Sequence, residues 1–182
     1  HNAHFWEDIA FKNGPMVSPA FFREIVGPRY KRITDRLKEA GCDVVSLDCD
    51  GNVMPLVPIW LDTGVNTMFP IEIRGGSDPV EMRELYGERV LLSGGVDKIA
   101  LIEGKETILA DIRRLDPLIK QGGFVPHVDH RVPPDVTYEN YLYYLKEKRA
   151  WLGIPEPPSF EDRLAELEKT DPARAATFKP AK

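Results

Sequence analysis

Short apolar runs alternate with amphipathic stretches along most of this chain, and few architectures satisfy that alternation. Val44-Val-Ser-Leu47, Asn66–Glu72, Val90–Gly95 and Gly123–Pro126 are each short enough for a strand and end in turn-forming residues. Between them the apolar spacing is helical. Behind a Ser18 N-cap and Pro19, the residues Phe21, Phe22, Ile25, Val26, Tyr30, Ile33 and Leu37 predict a helix that stops at Gly41. Pro28 inside it predicts a kink or a break. Further helices are predicted over Pro55–Thr63, from an Asp78 cap to Tyr86, near Lys105–Lys120 and over Thr137–Trp151. The rhythm is βαβαβαβα in units of about 25 to 35 residues, which predicts a parallel sheet with crossover helices. No G-x-G-x-x-G or Walker-type loop occurs, so a nucleotide fold has no positive support. Gly94-Gly95 predicts close backbone packing or a turn, not a phosphate cradle.

At 182 residues the chain can hold one domain with a sizeable core. Its net charge of -5, with no basic block, argues against nucleic acid as a partner. No run approaches the roughly 18 apolar residues of a membrane span, and no signal-peptide pattern opens the chain. Cys42 and Cys49 fall on one predicted strand at an odd separation, hence on opposite faces, and are expected not to pair. A reduced, cytoplasmic setting is expected. Two parts are expected: a 1–153 barrel-like portion, and a 154–182 tail with a stiff Ile154–Pro158 linker. In that tail a short helix is predicted over Phe160–Lys169, and Thr170–Lys182 is predicted to be loose.

The chemistry-bearing residues gather where strands end. Gly122–Asn140 runs from an apolar stretch into His127, Asp129 and His130, then into prolines and a helix start. In parallel α/β folds the carboxyl ends of strands carry the chemistry. His130 is expected to point inward and His127 to be hydrogen-bonded in the loop. Glu72 ends another predicted strand, Glu7 and Asp8 end the first, and Asp97 and Lys98 follow Ser93-Gly-Gly95.

Glu7–Pro19, Asp48-Cys-Asp-Gly-Asn52, Gly94-Gly-Val-Asp-Lys98 and Gly122–Asn140, in this order, resemble the uroporphyrinogen decarboxylase superfamily. It includes the heme-pathway decarboxylase and cobamide-dependent methyltransferases. The resemblance implies a (β/α)8 TIM-type barrel about twice as long as this chain, which would then be roughly its carboxyl-terminal half. The chain also opens at His1 inside what reads as a motif, and a longer parent or a partner supplying the rest of the barrel is expected.

The resemblance also implies a site. Zinc methyltransferases of the superfamily carry His-x-Cys before Gly-Asn and a further cysteine after the last strand. Lining up Gly51-Asn52 sets Asp48 and Asp50 at the first two ligand positions, and lining up Glu139-Asn140 sets His130 at the third. Asp48, Asp50 and His130 are therefore the expected catalytic and metal-binding residues. Glu7, Asp8, Glu72, His127 and Asp129 are expected to bind substrate or to orient a ligand histidine. Two carboxylates and an imidazole would make a harder site than His-Cys-Cys, for zinc or another divalent metal. The implied activity is methyl transfer between a small methylated or methoxylated substrate, or a thiol, and a corrinoid (cobalamin) carrier, with a corrinoid protein as partner. The alternative is cofactor-free decarboxylation of an acidic tetrapyrrole in porphyrin biosynthesis. In that enzyme a Gly-His-Gly histidine stands at the place of His130, but here Asp129 and Arg131 replace the glycines. A second alternative is a non-catalytic barrel portion that binds a partner.

Overall fold

Strand order decides which parallel fold this is. In the computed structural model, which describes residues 1–178, five parallel strands lie side by side. They are β1 (Asn2–Trp6), β4 (Val44–Asp48), β5 (Thr67–Ile71), β6 (Leu91–Val96) and β7 (Phe124–Val128), in the order β1-β4-β5-β6-β7. The short β2 (Ala10–Phe11) and β3 (Gly14–Pro15) form a separate antiparallel pair. Each strand of the large sheet is laid beside its predecessor, and the order never reverses. A doubly wound sheet reverses once and carries helices on both faces. A sheet that never reverses keeps its helices on one face, as in a barrel. The architecture is α/β, a run of βα units of the (β/α)8 type.

The two faces of the sheet differ accordingly. Val45, Leu47, Met68, Leu92, Phe124 and Val128 are buried, together with Trp60, Met82, Leu101, Leu115 and Leu118 of the helices. Burying each such side chain contributes about 1.5–3 kcal/mol, so this face holds the domain together. The opposite face carries His4, Ser46, Phe69, Ser93 and His127. A closed barrel usually fills that interior with branched apolar side chains; here polar and aromatic side chains stand among the apolar Val44, Leu91 and Val125.

The connecting helices are α1 (Pro19–Phe21), α2 (Gly27–Glu39), α3 (Val57–Asp62), α4 (Pro79–Tyr86), α5 (Lys98–Glu103), α6 (Lys105–Gln121) and α7 (Tyr138–Trp151). The disturbance expected at Pro28 takes the form of a π-helical stretch, Phe22–Val26, just ahead of α2. Proline offers no N–H, and a widened turn accommodates it. Helix α5 is absent from the sequence-based expectation. It starts on Asp97, whose carboxylate accepts the Ile99 N–H, and Gly104, at φ 117°, separates it from α6.

Two expectations are corrected. Cys42 and Cys49 lie just outside the ends of β4 instead of on it; both are buried free thiols. The tail after Thr170, expected to be loose, forms α9 (Pro172–Ala176), capped by Asp171 through the Arg174 N–H; residues 179–182 of that tail lie outside the described residues. The helix expected there before it is α8 (Phe160–Thr170), capped by Ser159. The chain divides into two compact units, the first ending at Leu145 and the second beginning at Lys146. No described helix is long and apolar enough to cross a membrane.

Candidate active site

Because the five strands are parallel, their carboxyl ends all open on one side, and the loops that follow bring distant residues together. After β4 the chain turns at Gly51, with φ 78°. A Cβ there would stand 2.4 Å from the Phe11 carbonyl carbon, so only glycine lets the loop pass the β2–β3 pair. The Gly51 N–H donates to Glu72 Oε2 at 2.8 Å, which ties the Asp48–Gly51 turn to the end of β5. Glu72 Oε1 in turn pairs with Lys98 Nζ at 2.9 Å. Lys98 Nζ also lies 3.7 Å from Asp129, which is fully buried and accepts the N–H groups of Ile73 (3.1 Å) and Lys98 (3.2 Å). One chain of polar contacts thus joins the ends of β4, β5, β6 and β7.

In front of this support lies a cleft of about 690 Å³ lined by Asp8, Asp48, Asp50, His127, His130 and Arg131, with Trp6, Phe69 and Pro70 as apolar walls. Asp50 Oδ1 is 3.5 Å from His130 Nε2, and Asp48 Oδ2 is 3.9 Å from His4 Nε2. Two sets of donor atoms fall within 4.8 Å of one another: Asp50, Glu72 and His130, and Asp8, Asp48 and Asp50. Asp50 belongs to both. Asp8 adopts φ 46°, in the left-handed region that aspartate tolerates better than most residues, and accepts the Trp6 indole N–H at 2.7 Å.

The charges follow from these neighbours. Burial, then the repulsion of Asp50 and Asp8, holds the Asp48 carboxyl above its ordinary range. Burial also raises Asp50, with Glu72 and Asp8 adding to it and His130 working against it. Glu72 goes the other way: burial alone would raise it, but Lys98 and the Gly51 N–H together hold it low. Burial opposes the charge on Lys98, yet Glu72 and Asp129 raise its pKa. For Asp129 burial outweighs its donors and raises the pKa. Glu7 is raised by burial.

The structure brings together most of the expected site, in a changed grouping. Asp48 and Asp50 meet, and Asp50 meets His130, but Asp8 and Glu72 complete the two sets. Three placements are corrected. His127 is not in a loop: it sits on β7 with Nε2 3.0 Å from Ser93 Oγ, because the strand runs to Val128. Asp129 faces away from the cleft into the support. Glu7 and Asp8 orient no histidine by a hydrogen bond or ion pair among the described residues; Asp8 instead fixes Trp6. His4 and Ser93 escaped sequence reasoning, although strand alternation with Trp6 and Gly95 put them on the cleft face.

The donors suit a hard divalent ion. Carboxylates and one imidazole are oxygen-rich ligands. Cys49, between the two aspartates in sequence, is buried, with burial pushing its thiol up to about 11, and its sulfur belongs to neither donor set. A zinc–thiolate centre does not fit; an oxygen-rich one does.

Parallel βα units with acids and a histidine at the strand ends define a (β/α)8-type barrel portion with its candidate site at the mouth. The chain belongs to the uroporphyrinogen decarboxylase (URO-D) family, which it matches over residues 3–151. Comparison with curated proteins gave no match. Among solved structures it is similar to a methyltransferase from Methanosarcina mazei, with a TM-score of 0.58 and 19% identity, covering 82% of this chain and 42% of that one. At that identity the likeness shows the fold alone. The chain therefore spans less than half the length of that protein.

Proposed function

We propose that this chain is part of a methyltransferase that moves a methyl group between a small methylated or methoxylated substrate, or a thiol, and a corrinoid carried by a partner protein. The observation that carries the reading is the place of Asp50 in both donor sets, at the mouth of the strands. Asp50 with Asp8 and Asp48, or with Glu72 and His130, would hold a divalent ion. Bound there, the ion would act as a Lewis acid toward a methyl-bearing oxygen. With the ion held by Asp8, Asp48 and Asp50, the His130 imidazole, whose Nε2 is 3.5 Å from Asp50 Oδ1, would be placed to supply the proton needed at the leaving oxygen. Lys98 keeps Glu72 in position. The fold shared with a methyltransferase is compatible with the reading. The charge of the cleft supports it too: Asp8, Asp48 and Asp50 against Arg131 would repel an acidic tetrapyrrole.

The test is methyl transfer by the full-length protein to reduced cobalamin from a panel of methyl ethers, methanol and methyl thiols, followed by absorbance. Transfer should occur with at least one donor class and fall about 10²- to 10⁴-fold in Asp50→Asn. Equal rates in the two proteins, or decarboxylation of a porphyrinogen with no methyl transfer, would count against it.

A further inference from the structure

The inner face of the sheet carries a second reactive pair beside the acid cluster. Ser93 on β6 and His127 on β7 are diagonal neighbours, since Ser93 is in register with Val125 and Gly95 with His127. Ser93 Oγ lies 3.0 Å from His127 Nε2, and His127 Nδ1 lies 2.7 Å from the Val128 carbonyl oxygen. A carbonyl only accepts, so Nδ1 carries a proton, and in the neutral ring Nε2 is the acceptor. The Ser93 hydroxyl therefore donates to Nε2. A hydroxyl, a base that takes its proton, and a third group that fixes the base's tautomer are the parts of an activated nucleophile. The Phe69 ring, 5.5 Å from the His127 ring, restrains it further. Ser93 is half-buried and lines a cavity on this face.

The neighbouring pair gives an internal contrast. His4 Nδ1 is 2.7 Å from Ser46 Oγ, but the Ser46 hydroxyl donates to the Ala3 carbonyl at 3.2 Å. Ser46 thus has two acceptors within reach, the Ala3 carbonyl and His4 Nδ1, and no carbonyl fixes the His4 tautomer as Val128 fixes that of His127. The same two residue types are thus held differently on the two sides of Phe69.

We propose that Ser93 and His127 form a nucleophile–base pair for small acyl or phosphoryl electrophiles, at the edge of the acid cleft that His127 also lines and independent of the methyl-transfer reading. Ser93 Oγ bonds to the electrophilic carbon or phosphorus while its proton passes to His127 Nε2. The leaving group departs with the bonding pair and takes that proton. Water, deprotonated by His127, then cleaves the new ester and restores the serine.

The test is treatment of the full-length protein with an alkyl fluorophosphonate and peptide mass spectrometry. Here the Oγ–P bond forms, the P–F bond breaks and fluoride leaves. The expected result is one adduct on Ser93, none on Ser46, and labelling about 100-fold slower or less complete in His127→Gln. No adduct on Ser93, equal labelling of Ser46, or wild-type labelling in His127→Gln would overturn the proposal. The comparison of Ser93 with Ser46 is made in the wild-type protein, so it decides the matter even if the variant does not fold.

Discussion

At the scale of single residues, the acids of the cleft work against folding. Asp48 binds its proton more tightly in the folded chain than in the unfolded one, chiefly because of burial and the charges of Asp50 and Asp8. Its contribution to stability therefore falls as pH rises from the unfolded pKa through the higher folded pKa, and stays unfavourable above it. Asp48→Asn should raise Tm near neutral pH by about 1–3 °C and leave it unchanged well below the ordinary carboxylate range. Calorimetry at the two pH values checks this, and a lower neutral-pH Tm in the variant would contradict it. Lys98 acts in the opposite sense. Lys98→Met leaves Glu72 and Asp129 without their cation and should cost about 1–3 kcal/mol, less than a fully buried pair because Lys98 keeps some solvent contact. Denaturant unfolding measures it; a neutral result would remove Lys98 from the support. Asp48, Asp50 and His130 were reached in the sequence through the resemblance, by lining up Gly51-Asn52 and Glu139-Asn140. The turning of Asp129 into the support was not. It depends on N–H groups of Ile73 and Lys98, which only the assembled strand ends bring near.

At the scale of elements, the strands and most helices follow from period and punctuation, because each is bounded by glycine, proline or a capping side chain. The π-helical stretch and α5 do not, for they break the period within a continuous apolar pattern. Close approaches are equally hidden, and Gly51 is the clearest case. Gly51→Ala should destabilise the chain by about 2–4 kcal/mol, since positive-φ strain adds to a collision with the Phe11 backbone. Gly41 has a similar φ of 77° but open space around its missing Cβ, so Gly41→Ala should cost only about 1 kcal/mol. Unfolding curves of the pair separate sterics from strain, and equal losses would show that the Phe11 contact is unimportant.

At the scale of the whole molecule, the five-stranded sheet ends in β1 and β7, each paired on one side only among the described residues. Parallel edges of this length invite further pairing. The 182-residue chain by itself should therefore associate as its concentration rises, which sedimentation velocity would register; a constant monomer boundary would contradict this. The family was legible from a few ordered motifs, since these record how the strand ends are built. The reaction was not, because it turns on which donors meet in space, and Asp8 and Glu72 join Asp50 from loops that sequence alone does not bring together. The most direct test of the account is divalent-metal content of the full-length protein by elemental analysis, after loading and gel filtration, beside Asp50→Ala. About one ion per chain, lost in the variant, is the predicted result. The same content in both proteins, or none in a well-folded wild type, would contradict Asp50 as the centre of the site.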